Sequence, residues 1–224
     1  MKIQFLDTLD LPPIAELTTF KSLRNVNNVL SNSLINHVVV SDITTEDVNE
    51  MEDNTIELHG VFMPKLEFQI RANTPEFKIN ISQSNVCSFR IVEKNKNSWL
   101  DDDSLNNDRI NISINDSNIG KLELTNKTIS LQLSRTYIDY LEIYKCDIRK
   151  LSMWLSSSRS SNIYNNIVNS MSISDCDLSN STFSENQFTC INVSNTKLKN
   201  STHTRNVIAG TYQNYFHGCQ CFYN

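Results

Sequence analysis

The chain is 224 residues long, 39% hydrophobic and 20% charged, with a net charge of −5 at neutral pH. That length suits one elongated domain or a short cap joined to a repeat. No stretch approaches the roughly 18 consecutive apolar residues of a membrane span, and Met1–Asp7 has too short an apolar run before an acid for a secretory signal. The charge is lopsided: 17 acids and 9 bases lie in residues 1–108, but 8 acids and 11 bases in residues 109–208.

Leu11-Pro12-Pro13 breaks structure and then permits a helix. Ile14, Leu17, Phe20, Leu23, Val26, Val29 and Leu30 would share one face of that helix. It reads as a cap over the raw end of whatever follows. Val38–Val40 is strand-like, and an acidic run follows: Asp42, Glu46, Asp47, Glu50, Glu52, Asp53 and Glu57. Such a run is a solvated loop, a dock for a basic partner or an imitation of nucleic acid. Glu93–Asp108 is polar and reads as a protruding loop, with Trp99 beside Asp101, Asp102 and Asp103. Loops on rigid scaffolds carry function disproportionately. Trp99, Asp101, Asp102, Asp103, Asp47, Glu50 and Asp53 are therefore the candidate partner-binding residues.

From Ile114 the apolar residues recur every five positions, through Ile119, Leu124 and Ile129. After one dropped residue the beat resumes at Leu133 and runs to Ile208. Only Ser158 and His203 interrupt it. A helix repeats every 3.6 residues and a strand every two, so a beat of five requires a corner every five residues. Four corners close a coil of about 20 residues, which stacks on the next as parallel strands about 4.8 Å apart. Residues two before each beat form ladders at that coil length: Leu131, Leu151, Met171, Ile191; Thr136, Ser156, Cys176, Thr196; and Asn166, Asn186, Asn206. Shorter fragments of the beat, Leu58-Met63-Phe68 and Ile81-Val86-Ile91, extend it imperfectly toward the N-terminus, with Pro64 and Pro75 at corners or edges. Ser156–Ser161 is expected to weaken one coil and bulge outward. The uncharged tail, with Tyr212, Tyr215, Phe216, Phe222 and Tyr223, is expected to cover the last coil, alone or against a second copy.

The units Cys176-Asp177-Leu178-Ser179-Asn180, Ser181-Thr182-Phe183-Ser184-Glu185 and Asn186-Gln187-Phe188-Thr189-Cys190 resemble the pentapeptide-repeat family. Its loose motif is a small residue, Asp or Asn, Leu or Phe, Ser, Thr or Arg, and any residue. Large residues such as Leu122, Leu141 and Leu151 depart from it. A leucine-rich repeat matches the local spacing of Ile138, Leu141, Ile143, Cys146 and Ile148, but its repeats recur every 20–29 or so residues. The expected fold is thus an all-β solenoid, a right-handed parallel β-helix with faces of about five residues and an N-terminal helical cap. Residues 1–35 form the cap, 36–108 irregular acidic coils with loop insertions, 109–208 regular coils, and 209–224 an aromatic C-terminal cap.

No phosphate loop, nucleophile elbow or His-Glu-X-X-His occurs. His37, His59, His203 and His217 lie in separate regions, and His217-Gly218-Cys219-Gln220-Cys221 offers three ligands where zinc takes four. Asp101–Asp103 suits a divalent cation or a carbohydrate-active β-helix only if a second acidic cluster faces it. No catalytic residue, metal or cofactor is assigned. Six scattered cysteines suit free, buried thiols in a reducing compartment. The expectation is a non-enzymatic protein-binding scaffold, a bacterial effector or phage accessory protein. It would act in the cytoplasm, or inside a host cell after delivery without a signal peptide, on a protein of unknown identity. Direct nucleic-acid binding is not expected, and a homodimer through the aromatic end is a hypothesis. The family resemblance also implies an alternative, imitation of DNA toward a topoisomerase such as gyrase. A glycan-binding β-helix is the third class.

Overall fold

A computed structural model describes residues 2–8, 35–41, 43–50, 52–70, 74–93, 109–209 and 220–221. The helix expected over Ile14–Leu30, the loop residues Trp99 and Asp101–Asp103, and the five aromatic residues of the tail lie outside them. In chain order the strands are β1 (Lys2–Thr8), β2 (Ile35–Ser41), β3 (Thr55–His59), β4 (Phe62–Ile70), β5 (Phe77–Ser82) and β6 (Asn85–Glu93). Next come β7 (Arg109–Asn115), β8 (Asn118–Thr125), β9 (Thr128–Ser134), β10 (Tyr137–Tyr144), β11 (Asp147–Trp154), β12 (Ser157–Tyr164) and β13 (Ile167–Ser174). The last are β14 (Thr182–Ser184), β15 (Gln187–Ser194), β16 (Lys197–Leu198), β17 (Thr202–Thr204), β18 (Val207–Ile208) and β19 (Gln220–Cys221).

These strands wind a parallel β-solenoid of about seven turns with almost no helix. A first sheet runs β2-β4-β6-β8-β10-β12-β14-β17, and a second runs β3-β5-β7-β9-β11-β13-β15-β18. Strand β1, which falls within the segment read as a helical cap, pairs antiparallel with β2. The solenoid begins at β2, one strand before the first five-residue fragment.

The side-chain beat of five and the backbone obey different periods. From Leu141 to Leu198 the buried positions alternate at spacings of two and three without exception. Alternation along a strand supplies the two, and each corner adds one outward residue. Half of the corners are left-handed residues, Arg135, Lys145, Leu155, Asn165, Asp175, Glu185, Asn195 and Arg205, ten apart. The others are bends inside continuous strands, as at the register shift between Ile148 and Lys150, except at left-handed Asn180 and Asn200, where the strand is interrupted. From β8 to β13 each coil therefore has two strands of seven or eight residues, whereas in the last coils all strands but β15 shorten to two or three residues. Phe188 and Val193 share β15, while Leu178 pairs through Asp177 and Phe183 lies in β14. All four are buried, each in its own column.

Corner backbone groups find partners through the ladders seen in the sequence. Asn186 Nδ2 donates to Ile163 O at 2.8 Å and to Asn206 Oδ1 at 3.0 Å, while its Oδ1 accepts from Asn166 N at 3.1 Å. At the opposite corner Thr136 N donates to Ser156 Oγ at 3.2 Å, and Cys176 N to Thr196 Oγ1 at 3.4 Å. Buried backbone groups left without such partners would each cost about 1–3 kcal/mol, so small polar residues recur here. Cys146 takes the place of an asparagine in one ladder, and burial pushes its thiol up to about 11.

Ser156–Ser161 does not bulge. Strand β12 pairs in register with β10 from Ser157 to Tyr164, and Ser158 and Ser161 point inward, buried. Backbone pairing on both sides holds the coil even where the side chains are small. Gly120 marks the tightest bend: a Cβ there would overlap the Cys87 carbonyl oxygen.

Coil length divides the rod. Ladder bonds span 19 or 20 residues from Asp116 onward, but 23 between Val61 and Ser84 and 33 between Ser84 and Ser117. Each early insertion falls at the same corner, where a strand of the first sheet passes to the second: residues 42–54, 71–76 and 94–108. The first carries six acids and no base, the second one of each, and the third four acids and two bases. Their sum is more negative than the net charge of the whole chain.

Candidate binding surface

The described acidic candidates all belong to the first insertion. Thr45–Glu50 forms a short helix, α1, in a stretch that reads as a loop. Its first turn is closed by Asp47, whose Oδ2 accepts from Thr44 N at 2.8 Å and Thr44 Oγ1 at 2.6 Å. Glu50 ends that helix. Asp53 sits in a left-handed turn (φ 51°) and borders a trough of about 490 Å³ on the outer face of the second sheet. Glu57, Lys78, Asn80, Gln132 and Lys150 line the rest of it. The structure thus brings Asp47, Glu50 and Asp53 to one corner. Trp99 and Asp101–Asp103 belong to the insertion that leaves and rejoins the rod at this same corner two coils on, and lie outside the described residues.

A second surface escaped the sequence reading. Every tyrosine and tryptophan among the described residues lies between Tyr137 and Tyr164, and none is in the core. Tyr137, Tyr140 and Tyr144 project from β10, Trp154 ends β11, and Tyr164 ends β12. The first sheet's outward row through Glu67, Arg90, Glu123, Glu142, Asn162, Thr182 and Thr202 changes character along the rod. At its start Glu67, 4% exposed, is clamped by Arg90 at 2.5 Å. At its end it is hydroxyls. In the middle it crosses the tyrosines.

Two parts make up this belt. At the corner before β10, Arg135 grips Asp116 with two bonds, Nε to Oδ1 at 2.5 Å and Nη2 to Oδ2 at 2.7 Å. Its guanidinium also lies 5.6 Å from the centre of the Trp154 ring. The Arg135 bonds hold the Asp116 carboxyl below its ordinary range. Beside them Trp154 is 44% exposed and Leu155 47% exposed. Leu155 is also left-handed, with φ 48°, a region that penalises branched and bulky side chains. Tyr137 donates to Asp139 Oδ1 at 2.8 Å, which raises its phenol pKa.

On the sheet itself, the Tyr144 and Tyr164 rings stack with centroids 4.3 Å apart and planes 19° apart. That separation is close to the spacing of neighbouring strands, so the backbone register enforces the stack. Lys145 Nζ lies over Tyr144 at 4.9 Å and Lys121 Nζ over Tyr140 at 5.4 Å. Lys121 is held by Glu123 at 2.7 Å, and this bond raises its pKa. Partial burial and the nearby Glu142 both raise the Tyr164 phenol. The belt is an array of exposed and half-buried rings with polar tips, suited to binding.

An open apolar cavity of about 270 Å³ lies at the last coil, between Ile191, Leu198, His203 and Ile208. There His203 stacks on Phe183 at 5.1 Å, and burial lowers its pKa. Strand β19 pairs with β16 in parallel beside it. Among the described residues no helix is long and apolar enough to cross a membrane, and no three His, Cys, Asp or Glu residues converge as a metal site. The chain matches no family model, no curated protein and no solved structure.

Proposed function

We propose that the protein is a non-enzymatic protein-binding scaffold of the pentapeptide-repeat type, and that the belt from Arg135 to Tyr164 is its docking surface. The observation that carries this reading is the segregation of aromatic residues. Trp, Tyr and Arg are the residues that dominate protein–protein hot spots, and all three gather on one stretch of a rigid rod. Tyrosine on a preformed sheet loses little conformational freedom on binding. Leu155 supports the same reading: among the left-handed corners ten apart it is the apolar one, and it is exposed. The resemblance to pentapeptide repeats is supported by coils of 20 residues with paired inward positions.

Capture from a lysate of the source organism tests the reading, with wild-type protein compared with Trp154→Ala/Leu155→Gly and Tyr137→Ala. Proteins retained by wild type and lost from these variants, at a melting temperature no lower than that of wild type, are the expected result. An identical captured set would remove the belt as the docking surface.

Imitation of DNA remains the second reading, favoured by one observation: two acid-rich insertions, 42–54 and 94–108, leave the rod at a single corner. A gyrase supercoiling assay separates the two, because inhibition that survives the belt variants and is lost on neutralising Glu46, Asp47 and Asp53 belongs to the acidic corner. No effect at micromolar protein removes it.

A further inference from the structure

We infer that the centre of the belt is a slot for an arginine side chain of the partner, with Glu142 as its counter-charge. This rests on the protein-binding reading and names the chemistry of the bound group. Glu142 lies between Tyr140 and Tyr144 on β10 and diagonal to Tyr164 on β12, so three rings surround one carboxylate. Directly across the strand pair it faces Glu123, and like charges in register repel. Lys121 is bonded to Glu123 and attracts Glu142 only at longer range. Among the described residues Glu142 has no cation within ion-pair distance, whereas Glu67, Asp116, Glu123 and Glu185 each have one.

The bonds that Glu142 does accept leave it open. Tyr164 donates to Oε1 at 3.3 Å and Tyr140 to Oε2 at 3.4 Å. Phenol-to-carboxylate bonds normally close to about 2.5–2.7 Å, so both are loose. One phenol on each oxygen, approaching from the flanks, leaves an outer lone pair on both oxygens. A guanidinium offers two parallel N–H groups for that geometry, and its flat face packs on aromatic rings, which an ammonium does less well. Tyr164 presents a suitable ring: Tyr144 covers one face, and the strand beyond the other carries only Ser184 in register. A bound guanidinium would also screen Glu142 from Glu123.

The test uses the full chain and three probes: N-acetyl-Gly-Arg-Gly-amide and its lysine and citrulline counterparts, titrated by amide chemical shifts at low salt. The arginine peptide is expected to shift resonances of residues 121–123, 140–144 and 162–164, with lysine weaker and citrulline inert. Glu142→Gln is expected to weaken binding by about tenfold, as a lost charge-assisted fork does, without lowering the melting temperature. Tyr164→Phe, which keeps the ring, should bind at least as well as wild type. Equal binding by citrulline, undiminished binding by Glu142→Gln or no shift in the belt overturns the slot. The parent reading fails separately. A captured partner lost with Trp154→Ala/Leu155→Gly but kept with Glu142→Gln overturns the slot alone, while one indifferent to both overturns both.

Discussion

The early coils, from Thr55 to Glu93, and the coils from Tyr137 to Tyr164 share one backbone plan but differ in where most of their rings lie. In the early coils the rings are phenylalanines, of which Phe68, Phe77 and Phe89 are fully buried, with Phe68 and Phe89 edge-on at 6.0 Å, while Phe62 faces outward. In the coils from Tyr137 to Tyr164 the rings carry hydroxyl or indole groups and face water, over a core of Leu, Ile and Met. The contrast follows from polarity, since a buried phenol needs a partner and an outward one carries its own solvation. It also divides labour. Early coils stretched by insertions need a heavier core, whereas regular coils are held by ladders and leave their outer face for contact.

Core truncation should break the comparison most sharply. Phe89→Ala is expected to lose about 3–5 kcal/mol of stability, while Tyr140→Ala in the belt loses less than about 1 kcal/mol. Denaturant midpoints at constant slope would show this, and similar losses would mean that the belt is structural. Next comes the ladder of the regular coils. Asn186→Ala strands Ile163 O and Asn166 N, at a cost of about 2–4 kcal/mol, and should raise amide exchange at the corners of neighbouring coils. Exchange confined to residue 186 would show that the ladder is dispensable.

A smaller effect of opposite sign is expected at the corner. Leu155→Gly removes left-handed strain and should stabilise the fold by up to about 1 kcal/mol, while weakening partner capture. Loss of stability would mean that Leu155 is packed for structure. The last prediction concerns thiols. At pH 8 iodoacetamide should label exposed Cys87 and Cys190 but spare buried Cys146, whose pKa is raised from 9.0 to about 11. A raised thiol pKa adds stability that is full below pH 9 and is lost as pH climbs through about 11. Peptide mapping and an alkaline melt check both halves.

Much of the architecture was legible in the chain because a solenoid repeats its inward positions locally. The columns through Leu131, Thr136 and Asn166 stack as their spacing of 20 implies. The outward residues were equally periodic, and the belt could have been read by asking which residue types occupy outward phases. Tyr137, Tyr140, Tyr144, Trp154 and Tyr164 answer that question without coordinates. Their contacts could not be read so: Tyr144 meets Tyr164, and Glu142 meets Glu123, only because successive coils are one strand spacing apart.

By itself the sequence determined the coil, the inward columns and the polar ladders, since each depends on residues a fixed step apart and on burial of apolar side chains. Tertiary structure alone decided that walls join pairwise into two sheets through the middle coils, that Ser156–Ser161 stays in register, and that three distant insertions leave from one corner. Those features depend on hydrogen bonds between coils, and a backbone pairing that is blind to side chains leaves no pattern in the residues that make it.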